Sequence, residues 1–178
     1  HSPDREKVAV AGNILGGGGM GNRLFSEVRT NKGLAYSVYS SMLRRNVSGA
    51  VFEFCATKNK SVTQAIEEML RQMSLMAAGP SAEELFRVKN KMIDSYVFEF
   101  DTPIKAVSEY MLNDYYGYPA DYVEKYPGLI AAVTAQDVAD MAKKWFVPDN
   151  AMIVAIGNAA QFDRPLSQFG PVTEIAAD

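Results

Sequence analysis

The 178 residues suit one domain able to bury well over half of its unfolded surface. Lys and Arg number 18 against 21 Asp and Glu, a net charge of −3, so the basic excess of a nucleic-acid binder is missing and no nucleic-acid partner is expected. No apolar run approaches the ~18 residues of a membrane helix, and one cysteine, Cys55, rules out an internal disulfide. The single histidine is His1, at the terminus, where no packed neighbours can hold it. That excludes a Ser-His-Asp or Cys-His site and a histidine-based zinc site within this chain, so no metal and no cofactor are expected here.

The sequence opens abruptly at His1-Ser2-Pro3 and runs at once into a helical pattern, as a fragment of a longer protein does. Val8, Ala11 and Leu15 recur at spacings of three and four, which predicts an amphipathic helix over Asp4–Leu15, stopped by Gly16–Gly19. A short helix is predicted over Asn22–Asn31, with Gly33 ending it. The period then falls to two: "LAYSVYSSMLRR", the turn signal "NVSG" and "AVFEFCATK" predict an antiparallel hairpin, with Cys55 acting as a small buried hydrophobe. Ser61 is placed to cap a helix running to Ala78, on which Met69, Met73 and Met76 form an adaptable apolar face. Ser81 and Glu84 have capping-box spacing at the head of a long helix. Thr102-Pro103 starts another helix, ending near Gly117. "ADYVEKYPGLIAAV" predicts a short helix broken around Pro127, and Thr134 opens "AQDVADMAKKWF". "NAMIVAIGN", apolar on both faces, predicts a strand inside the sheet, followed by a looped tail. Strands and helices are segregated rather than alternating, so the expected fold is α+β, a small mostly antiparallel sheet covered by helices. Three strands make a thin sheet, and at least one more is expected ahead of His1.

Two features bear on function. A phosphate-binding loop needs a strand before its glycines and a Gly-Lys-Ser after them, whereas "GGGGMG" follows a helix and lacks that triplet. The glycine run is therefore read as a helix–helix connection or as exposed backbone for an extended peptide. Arg29 and Tyr36 flank the turn at Gly33. One supplies a permanent charge with five fixed donors and the other a phenolic donor, a pair able to grip a carbonyl or a developing oxyanion. The plainer alternative is a surface charge and an amphipathic core tyrosine. Glu67, Glu68, Glu83 and Glu84 read as solvated helix faces or as partners of helix N-termini.

The stretch "LGGGGMGNRLFSEVRTNKGLAYSVYS" resembles the segment that marks the C-terminal, non-zinc half of pitrilysin (insulinase)-type zinc metallopeptidases, among them mitochondrial processing peptidases and two-domain bacterial proteases. The likeness continues through "SAEELFRVKNKM", "YYGYPADYVEKYPGLIAAVTAQDVADMAKKWF" and "AMIVAIGN". It implies a LuxS/metallohydrolase-like half-domain spanning residues 1–178. A catalytic half, in the same protein or a separate subunit, carries an H-x-x-E-H motif and the zinc. This half closes the chamber and orients an extended peptide substrate. Arg29 and Tyr36 match the family's R-x₆-Y arrangement, which implies that Arg29 holds a substrate main-chain oxygen and Tyr36 stabilises the tetrahedral intermediate. Gly16, Gly17, Gly18 and Gly19 resemble the glycine-rich segment that contacts substrate in the non-catalytic processing-peptidase subunit. The ending "FDRPLSQFGPVTEI" resembles that of exported bacterial members, which leans the compartment towards the periplasm. The alternative within the same fold is a scaffold or interaction domain with no proteolytic role, and the alternative outside it is a nucleotide-binding enzyme built on the glycines.

Overall fold

The computed structural model describes residues 4–43 and 49–175 of the chain. His1 and residues 46–48 of the expected "NVSG" turn lie outside the described residues. Helix α1 (Arg5–Leu15) buries Val10, Ile14 and Leu15 completely, each contributing about 1.5–3 kcal/mol of transfer free energy as a fully buried side chain. Gly16 ends it, donating its N–H to the Gly12 carbonyl at 3.0 Å. A π-helix, Phe25–Asn31, follows, then the antiparallel pair β1 (Ala35–Leu43) and β2 (Ala50–Thr57). Beyond the hairpin come α2 (Val62–Leu75), α3 (Ala82–Tyr96), α4 (Pro103–Tyr115), α5 (Tyr122–Ala132) and α6 (Ala135–Trp145).

The sheet divides the molecule into an inner and an outer side. Val38 and Ser40 of β1 are buried, and the Ser40 hydroxyl donates to the Gly12 carbonyl of α1 at 2.9 Å. Val51 and Cys55 of β2 pack towards the same core, and burial pushes the Cys55 thiol up to about 11. On the outer side Tyr39 packs its ring against Phe54 at 5.1 Å and edge-on to Phe52 at 6.2 Å, and both Tyr39 and Phe54 stay partly in solvent. Helices therefore cover one face of the sheet. The core joins Val10, Ile14 and Leu15 to Leu24, Val28, Met76, Ile130, Val138, Met141 and Phe146, with Met69 and Met73 against it. Ion pairs Lys7–Asp137 (2.6 Å) and Lys144–Asp4 (2.7 Å) tie α1 to α6.

Several expectations need correction. Ser61 makes no capping hydrogen bond. Ser81 does cap α3, accepting from the Glu84 N–H at 3.1 Å, while the Glu84 carboxylate turns away to Arg23. Thr134 and Asp137 form the reciprocal capping box instead. Helix α5 runs unbroken through Pro127; it gives up one backbone hydrogen bond and is held by buried Tyr122 and Ile130 and by Tyr126 stacked on Tyr96 at 3.9 Å. The Arg5 guanidinium packs over two tyrosines, 4.2 Å from the Tyr118 ring centroid and 4.8 Å from that of Tyr122, while Tyr110 and Tyr115 stay exposed.

The largest departure is "AMIVAI". Among the described residues the sheet has two strands, β1 and β2, and residues 151–156 are unpaired. Met152 and Ile156 stand in solvent at 89% and 97% exposure, Val154 is exposed with them, and Ile153 is half-buried. An apolar stretch becomes an inner strand only when a neighbour supplies main-chain partners, and no described residue does so. Helix α4 likewise leaves Ile104, Val107, Met111 and Tyr115 exposed. In the tail, Asp163 accepts from the Thr63 N–H at 2.9 Å and Arg164 pairs with Glu67 at 2.7 Å, which docks it on the head of α2.

Candidate functional site

The site expected at Arg29 and Tyr36 is built from two backbone irregularities in quick succession. The predicted Asn22–Asn31 helix begins with ordinary geometry, capped by the Asn22 carboxamide oxygen accepting from the Phe25 N–H at 2.8 Å. It then widens: the Lys32 N–H reaches the Glu27 carbonyl, five residues back, at 3.1 Å, and the Leu34 N–H reaches the Val28 carbonyl at 2.9 Å. Such π-turns recur at functional sites because they rotate the following side chains away from their α-helical directions. Val28 stays buried, and Arg29 points to solvent with its guanidinium carbon 4.8 Å from the Phe25 ring centroid. That cation–π contact is worth about 0.5–1 kcal/mol at an exposed site and narrows the rotamers open to Arg29.

Gly33, with φ +63°, turns the chain into β1. Strict alternation would then bury Tyr36, which shares parity with Val38 and Ser40. The pairing register breaks between Ala35 and Ser37, opposite Thr57 and Ala56, and leaves Tyr36 unpaired and 68% exposed. A β-bulge re-aims a side chain in this way. The core-tyrosine alternative is thereby removed. Both Arg29 and Tyr36 are solvent-facing on the two arms of one bend.

The glycine run is ordered rather than slack. Buried Asn22 donates through its amide nitrogen to the carbonyls of Gly17 (3.1 Å) and Gly19. Gly16 is buried against β1, where an added Cβ would lie 2.5 Å from the Ser40 nitrogen. Gly17 packs on Asn13, while Gly18 and Gly19, at φ +69° and +82°, are exposed. Arg23 ties this segment to the α2–α3 junction, donating to both Glu84 oxygens at 2.8 Å and to the Gly79 carbonyl at 3.1 Å.

The sequence reading missed Glu68. Placed there on a solvated face, its side chain is 2% exposed. It accepts from Lys32 Nζ, from Arg71 Nη2 at 2.7 Å and from Gln72 at 2.7 Å. Burial by itself raises the carboxyl, but the hydrogen bonds from Arg71, Lys32 and Gln72 outweigh it, and the group is lowered to about 2. The available signal was its spacing: Ala65, Glu68, Gln72 and Met76 follow one inward stripe of the helix.

Among the described residues no group of three or more His, Cys, Asp or Glu is arranged to hold a metal ion, so the donor set does not fit a zinc site. Among those residues, too, no helix is long and apolar enough to cross a membrane.

Residues 1–92 match the model of the family described as the peptidase M16 inactive domain. The chain belongs to this family. The chain is 28% identical over 146 residues to the uncharacterized zinc protease YmxG of Bacillus subtilis (strain 168), covering 82% of this chain and 36% of that protein. It is 26% identical over 135 residues to an uncharacterized zinc protease of Rickettsia felis, covering 75% and 32%. The chain thus spans about a third of the length of these curated relatives. The crystal structure of a peptidase M16 inactive domain from Pseudomonas fluorescens superposes with a TM-score of 0.73 at 27% identity, over 81% of this chain and 34% of that one. A protease from Helicobacter pylori shares the fold at TM-score 0.69 and 18% identity, over 82% and 35%. The expected fold class and the expected family are both borne out.

Proposed function

We propose that this inactive domain is the non-catalytic half of a zinc metalloendopeptidase, closing a proteolytic chamber and orienting an extended peptide for hydrolysis at zinc held by a catalytic half. The observation that carries this reading is the bend over residues 29–36. A π-turn and a β-bulge, each costing regular hydrogen bonding, act together to hold a guanidinium and a phenol out in solvent. A domain with only structural duties gains nothing from exposing Tyr36 where alternation would bury it. In this reading the Arg29 guanidinium grips a substrate carbonyl, and the Tyr36 hydroxyl donates to the oxygen on which negative charge develops during attack on the peptide bond. Gly18 and Gly19 offer exposed main chain against which an extended substrate can lie; Gly16 and Gly17 support them from beneath. A strand from outside these 178 residues pairs with residues 151–156 and completes the sheet. The zinc belongs to the catalytic half, whose own residues supply its ligands.

The test is kinetic, in the protein or complex that contains the zinc half. Arg29→Ala and Tyr36→Phe should each lower turnover of a fluorogenic peptide on the order of a hundredfold, the scale of one lost oxyanion donor. Both variants turning over at the wild-type rate would reject the assignment and favour the scaffold reading of the same fold.

A further inference from the structure

We propose that Glu68 is a positioning residue: from inside α2 it holds the bend at Lys32 and so fixes the directions of Arg29 and Tyr36. The inference rests on the reading of that bend given above and adds a residue to it. Its basis is a closed circuit. Lys32 and Glu27 are the two residues joined by the π-type backbone hydrogen bond, and Arg29 lies between them. Their side chains are joined as well, through α2. Lys32 pairs with Glu68, Glu68 with Arg71 at 2.7 Å, and Arg71 reaches Glu27 at 3.9 Å. The backbone closes the widened turn on one side and four charges close it on the other. Past Gly33 the Thr57 hydroxyl of β2 donates to the Leu34 carbonyl, so the bend is fastened to α2 before the glycine and to β2 after it. Tyr36 follows two residues later.

Burial singles out Glu68 as the hub. It is 2% exposed, whereas Lys32 and Arg71 are 47% and 50% exposed, and neighbouring Glu67 faces the tail and Arg164. When the hub loses its charge, the two cations can return to water with little penalty. The bend should then loosen while the core stays folded. This is what distinguishes positioning from general support.

The test uses the full chain and two variants. Glu68→Gln removes the hub charge, and Lys32→Met removes only the tie to the bend and leaves α2 intact. In hydrogen-exchange mass spectrometry each should speed exchange of the amides over residues 29–36 by about tenfold or more, with α1 and α6 unchanged. Glu67→Gln, on the same helix, should leave that segment at the wild-type rate, and Lys32→Arg, which keeps the ion pair, should restore protection. In the enzyme containing the zinc half, Lys32→Met should lower kcat with KM within about twofold, and Tyr36→Phe added to it should cost less than Tyr36→Phe alone. Unchanged exchange over 29–36 in both variants, or an equal rise throughout the chain, overturns the proposal. If Tyr36→Phe alone leaves turnover intact, the functional reading falls, and the exchange measurement still decides whether Glu68 holds the bend.

Discussion

Replacing Arg23 with methionine keeps the aliphatic stem in place and removes the guanidinium. Three hydrogen bonds disappear: two to Glu84 at 2.8 Å and one to the Gly79 carbonyl at 3.1 Å. Both side chains are 16% exposed, so the pair is largely desolvated. Breaking a buried pair from one side costs about 3–5 kcal/mol because the surviving charge is stranded. Here two features soften the loss. The remaining exposure lets some water reach Glu84, and Glu84 lies in the first turn of α3, where the helix dipole favours an acid by about 0.3–1 kcal/mol. The expected destabilisation is therefore about 2–3 kcal/mol. For a domain of this size it lowers Tm by about 4–12 °C. Urea denaturation followed by circular dichroism measures the first figure and a thermal scan the second. A double-mutant cycle with Glu84→Gln isolates the pair and should return a coupling of about 1.5 kcal/mol or more. A loss under about 0.5 kcal/mol, or strictly additive single losses, would show that Arg23 is a surface ion pair of little consequence and that the glycine segment is not fastened to the α2–α3 junction through it.

Two glycines should respond in opposite directions. Gly16→Ala drives a methyl to 2.5 Å from the Ser40 backbone nitrogen and should cost about 1–3 kcal/mol or more, whereas Gly128→Ala, exposed within α5 with nothing within 4 Å, should stabilise by about 0.5–1 kcal/mol; equal effects in denaturant titration would contradict the close approach of α1 to β1. Stability should peak at pH ~4. Glu68 and Asp137, held down to about 2 in the folded chain, contribute stability above their ordinary range near ~4 that is lost as pH falls towards 2. Glu53, which burial raises to about 8, binds its proton more tightly folded than unfolded, so stability declines as pH rises from ~4 to 8. Urea midpoints across pH 2–9 should show both limbs, and Glu53→Gln should flatten the upper one; an upper limb unchanged in that variant would remove Glu53 as its cause.

Much of this domain was legible in the order of its residues because the controlling interactions are local. The apolar spacing of Val8, Ala11 and Leu15, the stop at Gly16, the change to period two after Gly33 and the caps at Ser81 and Thr134 act within a turn or two of themselves. The single histidine in the composition likewise gave the expectation that zinc ligands come from elsewhere. Other features are matters of tertiary closure. Whether Tyr36 faces core or solvent turns on one break in register with β2, and alternation alone gives the opposite answer. Glu68 reads as a solvated acid until α2 brings it to Lys32, 36 positions away, where the cations offset the cost of burying it. The apolar run at 151–156 has every local mark of an inner strand and still lies unpaired, because a strand is completed by its neighbour's hydrogen bonds and not by its own composition.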